Sequence, residues 1–146
     1  MFEDFYMNVQ LLNEDAIMPS RGTEESAGLD LYTPVPVAIA PNSDGMIDLQ
    51  IRIEIPKGYA MMIKNKSGIA TKKKANKMAQ VIDSDYRGNI MVHLWNHSKT
   101  QTLYFDKGDK VAQGVVVPVW TGVPKQVESI STETERGEGG FGSTGK

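Results

Sequence analysis

A strict alternation of apolar and polar residues between positions 47 and 55 constrains the fold more than any other feature of the chain. Every odd position is isoleucine or leucine, and the residues between them are Asp48, Gln50, Arg52 and Glu54. Successive side chains of a strand point to opposite faces of a sheet, so this segment predicts a strand with one buried face and one face in water. The Pro-Lys-Gly sequence that follows predicts a turn.

Further short segments predict more strands, at residues 59–64, 90–95 and 103–105. Residues 111–120 differ from these because their run of valines makes both faces apolar. A strand of this kind must be covered on both sides, by a second sheet or by another subunit. The one helix predicted covers residues 69–78. Many short strands separated by glycine and proline indicate an all-β sandwich or barrel.

Length and composition exclude several classes of protein. The chain has 146 residues, which suits one domain. It has no cysteine, which excludes disulfide frameworks, thiolate zinc sites and cysteine nucleophiles. A net charge of −2 argues against duplex nucleic acid as the main partner. There is neither an apolar run of about 18 residues nor a basic secretory start, so we expect a soluble, intracellular domain.

The C-terminal residues 136–146 contain five glycines and a single aromatic side chain, Phe141. Such a segment cannot order itself, because glycine loses much entropy on folding and little here can be buried. Together with Arg136, Ser143 and Thr144, its backbone amides could form a flexible cradle for an anion. The alternative is an ordinary solvated terminus.

Two other segments carry acidic side chains that suit either a structural or a chemical role. Asp83 and Asp85 lie in Val-Ile-Asp-Ser-Asp-Tyr-Arg-Gly, where a carboxylate could close a turn between strands or serve as a general base. Asp30 lies between apolar neighbours at the start of a predicted strand. It could cap a backbone turn or support a metal ligand.

The basic residues leave similar alternatives. Residues 65–68, Asn-Lys-Ser-Gly, could present backbone N–H groups to an anion or form the N-cap turn of a helix. The lysines between positions 72 and 77 are typical of a solvated surface, with nucleic-acid contact as the less favoured interpretation. His93 and His97 have no third ligand nearby in sequence, which argues against zinc.

Five segments in order along the chain carry a family resemblance. They are AGLDLYTP (27–34), NKSGIA (65–70), VIDSDYRGNI (81–90), KGDKVAQ (107–113) and RGEGGFGSTG (136–145). Together they closely resemble the five motifs of the trimeric dUTPases, the deoxyuridine triphosphate nucleotidohydrolases. The resemblance covers the chain from about Ala27 to its end.

The resemblance implies a single domain over residues 1–146, with an all-β, jelly-roll-like fold and a flexible C-terminal lid at 133–146. It implies a homotrimer with shared active sites and exchanged C-terminal arms. The implied activity is hydrolysis of dUTP to dUMP and pyrophosphate, which keeps uracil out of DNA and supplies dUMP for thymidylate synthesis. No stable binding of nucleic acid or membrane is expected, and the implied location is the cytoplasm, or the host cytoplasm for a viral protein.

The resemblance also assigns roles to individual residues. Asp83 would deprotonate the water that attacks the α-phosphorus, and Mg²⁺ would bind the triphosphate, with Asp30 reaching it through water. Tyr86 would pack beneath the deoxyribose and exclude a ribose 2′-hydroxyl. The implied contacts to the phosphates are Lys66, Ser67, Gly68 and Gln113. Uracil would be bound by the hairpin with Gln80, Val81, Ile82 and Met91. In the lid, Phe141 would stack on the base, and the γ-phosphate would be held by Arg136, Gly142, Ser143 and Thr144.

Three positions depart from the family pattern. Lys66 and Lys110 stand where arginine is usual, which keeps the charge but loses bidentate phosphate geometry. Gln80 stands where glycine is common.

Three other functions remain open from the sequence. The same pocket could serve a nucleotide-sensing protein that binds a partner. The related dCTP deaminases are a second alternative, although the Asp-Tyr-Arg-Gly hairpin and the glycine-rich lid fit the hydrolase better. Nucleic-acid binding through the lysines of residues 72–77 is the third.

Overall fold

A computed structural model describes residues 6–73, 75–78 and 81–142, and within these ranges the chain forms twelve strands and one helix of six residues. This helix is too short to cross a membrane. The elements are β1 (Asn8–Leu11), β2 (Ser20–Arg21), β3 (Leu29–Tyr32), β4 (Val37–Ile39), β5 (Ser43–Asp48), β6 (Ile51–Glu54), β7 (Tyr59–Lys64), α1 (Ser67–Lys72), β8 (Ala75–Lys77), β9 (Val81–Ile82), β10 (Met91–Asn96), β11 (Leu103–Phe105) and β12 (Lys110–Pro118).

The described strands form four antiparallel sheets around one apolar core. The largest has the order β2-β3-β12-β7-β9, and a three-stranded sheet has the order β5-β10-β8. The pairs β1-β6 and β4-β11 complete the set. The core is built from aliphatic side chains of most of these strands, with Leu31, Ile90, Val92 and Val111 fully buried. The prediction of an all-β fold is confirmed.

The alternating segment at 47–55 buries its apolar positions as predicted, with each of the five at most 3% exposed. The prediction of one continuous strand is wrong, because the chain changes sheets between β5 and β6. Gln50 has a φ of +55°, and its N–H donates to the Asp48 carboxylate over 2.8 Å. This side-chain-to-backbone bond makes the corner from which β5 pairs with β10 and β6 pairs with β1.

The predicted helix is present, but its predicted bounds, 69–78, are wrong. The helix α1 begins earlier and ends at Lys72, and β8 pairs with β10 instead. The backbone N–H of Lys77 donates to Asn65 Oδ1 over 2.9 Å, which ties β8 to the end of β7. Helix propensity is a weak preference, and pairing with a neighbouring strand outweighs it here. By contrast, β7 and β11 occupy the predicted residues.

Residues 119–142, which we call the C-terminal arm, form neither strand nor helix. Its large apolar side chains are exposed, among them Trp120 at 76%, Val123 at 88% and Ile130 at 80%. Covering apolar groups that are exposed to water lowers the free energy. The arm therefore presents a surface that its own chain leaves uncovered.

Candidate functional site

The first candidate cluster lies on the outer face of the five-stranded sheet. Strand register places Asp30 of β3 opposite Gln113 of β12, and Gln113 opposite Lys64 of β7. Residues directly opposite one another share a face, so these side chains form a row across three strands. Lys66 follows two residues after Lys64, immediately before α1. We call Asp30, Lys66, Lys110 and Gln113 the Asp30 cluster.

A β-bulge in β12 brings Lys110 into this cluster. Lys110 lies opposite Tyr32 and Ala112 lies opposite Leu31, so Val111 is the extra residue. Val111 and Ala112 are both buried in the core, although they are consecutive in sequence. If β12 instead alternated regularly through Val111, Lys110 would lie on the opposite face from Asp30 and Gln113.

Asp30 holds two lysine ammonium groups. Lys66 Nζ contacts Asp30 Oδ1, and Lys110 Nζ lies 3.2 Å from Asp30 Oδ2. The Asp30 side chain is only 9% exposed. Burial alone would raise the pKa of Asp30, but hydrogen bonds and charges from the two lysines outweigh it and lower the pKa below its usual value. The same contact raises the pKa of Lys110. The three side chains carry a net positive charge, which suits a phosphate ligand.

Gln113 is held in place by two segments that are distant in sequence. Its Nε2 donates to the backbone carbonyl of Asn65 over 3.0 Å. A Cβ atom at Gly28 would lie 2.7 Å from Gln113 Oε1, so a glycine is needed there for the glutamine to take this position. Ser67 and Gly68, at the start of α1, are exposed beside the cluster. The first, second and fourth motifs therefore meet within one chain.

The second candidate cluster is a shallow pocket of roughly 160 Å³ at the start of β10. It is lined by Val81, Ile82, Asp83, Tyr86, Asn89 and Met91. All of these except Asn89 belong to the site that the resemblance implied, and Asn89 was missed because only the folded chain between β9 and β10 brings it to the pocket. Gln80 lies outside the described residues.

Asp83 stands at the mouth of this pocket with a free carboxylate. Its backbone carbonyl accepts a hydrogen bond from the Tyr86 N–H over 3.2 Å, which closes the turn. The carboxylate itself takes part in no hydrogen bond or ion pair with the residues that the structure describes, and Asp83 is exposed. The alternative in which Asp83 caps the turn with its side chain is thus not the observed arrangement. The carboxylate is available to a water molecule.

Tyr86 folds back over the segment between β9 and β10. Its hydroxyl donates to the backbone carbonyl of Asn89 over 2.9 Å. Gly88 lies under the ring, since a Cβ atom there would come within 2.4 Å of the Tyr86 hydroxyl oxygen. The ring stays 44% exposed and faces the pocket that it lines.

The two clusters lie far apart within one chain. Strand β9 pairs Ile82 with Met61 of β7, so Asp83 falls beside Ala60. Lys66 is six residues further along from Ala60, past the other end of β7. An extended strand rises about 3.4 Å per residue, which puts the two ends roughly 20 Å apart.

The remaining predicted residues that the structure describes, Arg136, Phe141 and Gly142, belong to the arm. Arg136 Nε donates to the backbone carbonyl of Gly139 over 2.6 Å, within a local turn. Phe141 is fully exposed and has a φ of +51°. Gly142 is exposed as well, and Ser143 and Thr144 lie outside the described residues.

The two histidines and Lys73 have partners among the described residues, whereas Lys74 lies outside them. His93 Nε2 lies 2.6 Å from an Asp44 carboxylate oxygen, and this hydrogen bond lowers the pKa of Asp44. His97 packs edge-on against Trp95. Lys73 Nζ donates to the Tyr104 carbonyl over 2.9 Å. Over the described part of the chain, no three His, Cys, Asp or Glu side chains come together as a metal site.

The fold is antiparallel, two lysines contact one carboxylate, and a free carboxylate lies in a shallow pocket. These features define the class of protein as an all-β protein with the parts of a nucleotide-hydrolysing site. The family model for dUTPase matches residues 14–145. A deoxyuridine 5′-triphosphate nucleotidohydrolase of Yarrowia lipolytica is 42% identical over 140 residues, covering 95% of this chain and 88% of that protein. The chain belongs to the dUTPase family, as its motifs predicted.

Solved structures agree with this assignment. The dUTPase of Staphylococcus bacteriophage 80alpha, solved with dUPNHPP, has a TM-score of 0.90 and 29% identity, with 97% of this chain and 99% of that chain covered. A variant of the dUTPase from phage phi11 of Staphylococcus aureus, described as coordinating a structural Mg(II) ion, has a TM-score of 0.81 and 28% identity. The match covers 85% of this chain and 97% of the phage chain.

Proposed function

We propose that this dUTPase hydrolyses dUTP to dUMP and pyrophosphate at sites shared between the chains of a homotrimer, with Asp83 as the general base. The free carboxylate of Asp83, held at the edge of the Tyr86 pocket, is the observation that carries the proposal. A general base must reach its water directly, and a carboxylate already engaged in a turn would not be available for this.

The reaction follows from that placement. A water molecule held by Asp83 attacks the α-phosphorus and forms the new phosphorus–oxygen bond. Its proton passes to Asp83, and the bond to the bridging oxygen breaks to release pyrophosphate. Phosphoryl transfer of this kind depends mainly on positioning and on stabilising charge at the phosphate oxygens.

The pocket suits a uracil base on a deoxyribose. Its volume of roughly 160 Å³ and its lining of hairpin residues fit a small planar ring whose polar edge is read by backbone groups. A site that pairs polar edges rejects ligands that leave those groups buried and unpaired. The ring of Tyr86 would lie under the sugar and leave no room for a 2′-hydroxyl.

The Asp30 cluster is the proposed phosphate site, together with Ser67 and Gly68. The side chains of Lys66 and Lys110 are 29% and 49% exposed, so a ligand can reach both. Asp30 keeps the two like charges side by side before the triphosphate arrives. Lysine provides charge here without the fixed fork of arginine.

Mg²⁺ is the proposed cofactor. The described side chains form no dedicated metal cage. Magnesium needs none when substrate phosphates and water supply most of its ligands. Both oxygens of Asp30 are paired with lysines, so contact with a hydrated ion through water fits this residue better than direct ligation. When bound, Mg²⁺ neutralises charge that builds on the phosphate oxygens.

The trimer is supported by the separation of the two clusters. About 20 Å of extended chain, β7 from Ala60 onward and the two residues after it, separates Asp83 from Lys66, which is too far for one bound α-phosphate to contact both regions. Joining the Asp83 pocket of one chain to the Asp30 cluster of another brings the parts together. The half-buried valines of β12, Val115, Val116 and Val117, offer apolar surface for that contact.

The arm is the third proposed contribution. We propose that residues 133–146 close as a lid of this single domain over a site on a neighbouring chain. Phe141 would stack on uracil, and Arg136, Gly142, Ser143 and Thr144 would hold the γ-phosphate. The full exposure of Phe141 supports this, because the described part of its own chain leaves the ring uncovered. A cytoplasmic location and the absence of stable nucleic-acid or membrane partners stay predictions.

The first test measures pyrophosphate release from dUTP with Mg²⁺, beside dTTP, dCTP and UTP. We expect release from dUTP and its near-complete loss in Asp83→Asn, which keeps the size of the side chain but removes the base. Release that survives in Asp83→Asn would refute Asp83 as the base. Ammonia release from dCTP would instead indicate a deaminase.

The second test asks whether the site is shared. Asp83→Asn and Lys66→Ala chains are each expected to be inactive, and they are unfolded together and refolded as a mixture. If one site takes Asp83 and Lys66 from different chains, random assortment restores about a quarter of the sites. If both residues acted within one chain, no chain of the mixture would carry both and no activity would return. Refolding each variant alone is the control.

A further inference from the structure

We infer that three polar side chains, Asp48, Arg52 and Asn89, form a network that positions Tyr86 and thereby sets the preference for a deoxyribose over a ribose. The inference rests on the role proposed above for Tyr86. None of the three residues needs to touch the substrate; Asn89 lines the pocket, and Asp48 and Arg52 act through it. They are positioning residues.

The side-chain amide of Asn89 is held from both sides. Its Nδ2 donates to the two carboxylate oxygens of Asp48, over 3.0 Å and 3.3 Å. Its Oδ1 accepts a hydrogen bond from Arg52 Nε over 3.1 Å. The negative group faces the amide nitrogen and the positive group faces the amide oxygen, so only one orientation of the amide satisfies both partners.

The same residue anchors Tyr86 through its main chain. The Tyr86 hydroxyl donates to the backbone carbonyl of Asn89 over 2.9 Å. Since the carbonyl and the amide belong to one residue, fixing the amide limits the movement of the carbonyl. The position of the half-exposed Tyr86 ring thus depends on two charged side chains of a neighbouring segment, Asp48 and Arg52.

That segment is the corner between β5 and β6, which is itself well fixed. Asp48 Oδ1 also accepts the backbone N–H of Gln50, the residue with a φ of +55°. Beside Asn89, the backbone of Ile90 accepts from the N–H of Leu49 over 3.0 Å and donates to the carbonyl of Ile51 over 2.9 Å. The network therefore joins the segment between β9 and β10 to a corner that is itself held by several hydrogen bonds.

A ring that rejects a hydroxyl by excluded space works only if it cannot move away. Loss of the network lets Tyr86 tilt, and the space it vacates accepts the 2′-hydroxyl of UTP. A displacement of about 1 Å at a reacting site changes rates by up to roughly a hundredfold. The expected effect is on selectivity more than on the hydrolysis of dUTP.

The experiment measures kcat/KM for dUTP and for UTP in Asn89→Ala. We expect the selectivity ratio, which is kcat/KM for dUTP divided by kcat/KM for UTP, to fall by about tenfold or more. Asp48→Ala is expected to lower it in the same way, whereas Asp48→Asn retains an oxygen acceptor for Asn89 and Gln50 and keeps most of the selectivity. A merely structural role would not separate the two Asp48 variants in this ratio.

Asn96 provides a matched control. It lies at the other end of β10, and its buried amide donates to the carbonyls of Ile39, Ala40 and Gln101. None of these groups lines the Tyr86 pocket. Asn96→Ala therefore loses at least as many hydrogen bonds as Asn89→Ala. It is expected to lower stability and to leave the ratio of kcat/KM for dUTP to that for UTP unchanged.

Tyr86→Phe tests the link without altering the network, and as a half-exposed substitution it preserves the fold. It is expected to lower the ratio, and the double variant with Asn89→Ala is expected to lower it little further, because both changes break one path. An unchanged ratio in Tyr86→Phe, or an unchanged ratio in folded Asn89→Ala, would overturn the inference. Failure of the wild type to hydrolyse dUTP, or full activity in Asp83→Asn, would instead overturn the proposed function.

Discussion

The Asp30 cluster and the C-terminal arm are both assigned to the same substrate, yet they differ in how their own chain treats them. The Asp30 side chain is 9% exposed, and its two lysine partners come from β12 and from the residue before α1. Phe141 of the arm is fully exposed, and the arm has no strand or helix. The cluster is prepared before any ligand arrives, whereas the arm needs another surface to order it.

The difference has a physical reason. A cross-strand cluster inherits its order from the sheet, so little entropy remains to be lost when a ligand binds. Ordering a glycine-rich segment costs about 1–2 kcal/mol for each residue fixed, which only new contacts can offset. Such a segment suits a closure that forms with the substrate and opens for product release.

The largest expected effect comes from removing residues 133–146. We expect kcat/KM for dUTP to fall by about a hundredfold or more, because the γ-phosphate and the base lose their proposed contacts. The melting temperature should stay within about 2 °C of the wild type, since the described residues of this segment, 133–142, are mostly exposed. Pyrophosphate release and thermal unfolding measure the two effects. A large drop in melting temperature would show that the arm is part of the folded core and would break the comparison.

Next in size is Asp30→Ala. It leaves two ammonium groups without the carboxylate that holds them together, and we expect KM for dUTP to rise about tenfold and stability to fall by about 1 kcal/mol. Steady-state kinetics and urea unfolding test this. The control is Asp15→Ala, which breaks the pair with Lys107; both side chains there are about half exposed, at 47% and 55%. Equal effects of the two variants would show that the Asp30 cluster has no special role.

Gly28→Ala is expected to have a smaller effect on the same cluster. The new methyl group would meet Gln113 Oε1 at 2.7 Å and push this side chain away from the Asn65 carbonyl. We expect KM to rise about threefold with little change in kcat, as for a lost binding contact. In the control Gly22→Ala, the nearest atom lies at an ordinary 3.6 Å, so no change is expected. A rise in KM in both would argue for a general effect on the loop.

The smallest expected effect is the acid limb of stability. The lowered pKa of Asp30 means that its contribution is present above the unfolded pKa of about 3.9 and is lost as the pH falls through the lower folded value. The wild type should therefore exceed Asp30→Asn in unfolding free energy near pH 6, and the gap should narrow toward pH 3. Urea unfolding at the two pH values measures it. A gap that stays constant would mean that the carboxylate charge does not stabilise the fold.

Local patterns predicted the parts of the fold that depend on neighbours in sequence. Strands β7 and β11 lie at the predicted residues, because side-chain alternation and the flanking turn residues are both local signals. The residues of the third motif line one pocket, and they lie within eleven positions of one another in the sequence. The prediction of a helix over 69–78 was wrong for its second half, because residues 75–77 pair with β10, a strand distant in sequence.

The sequence by itself determined the buried face at 47–55 and the five motifs that identify the family. It could not determine the corner at Gln50, the bulge at Val111 or the contact of Asn89 with Asp48. These depend on strand register, and a shift of one residue turns every side chain to the other face. Only the tertiary structure decided that Lys110 faces Asp30, and that Asp83 lies a strand's length away from the lysines.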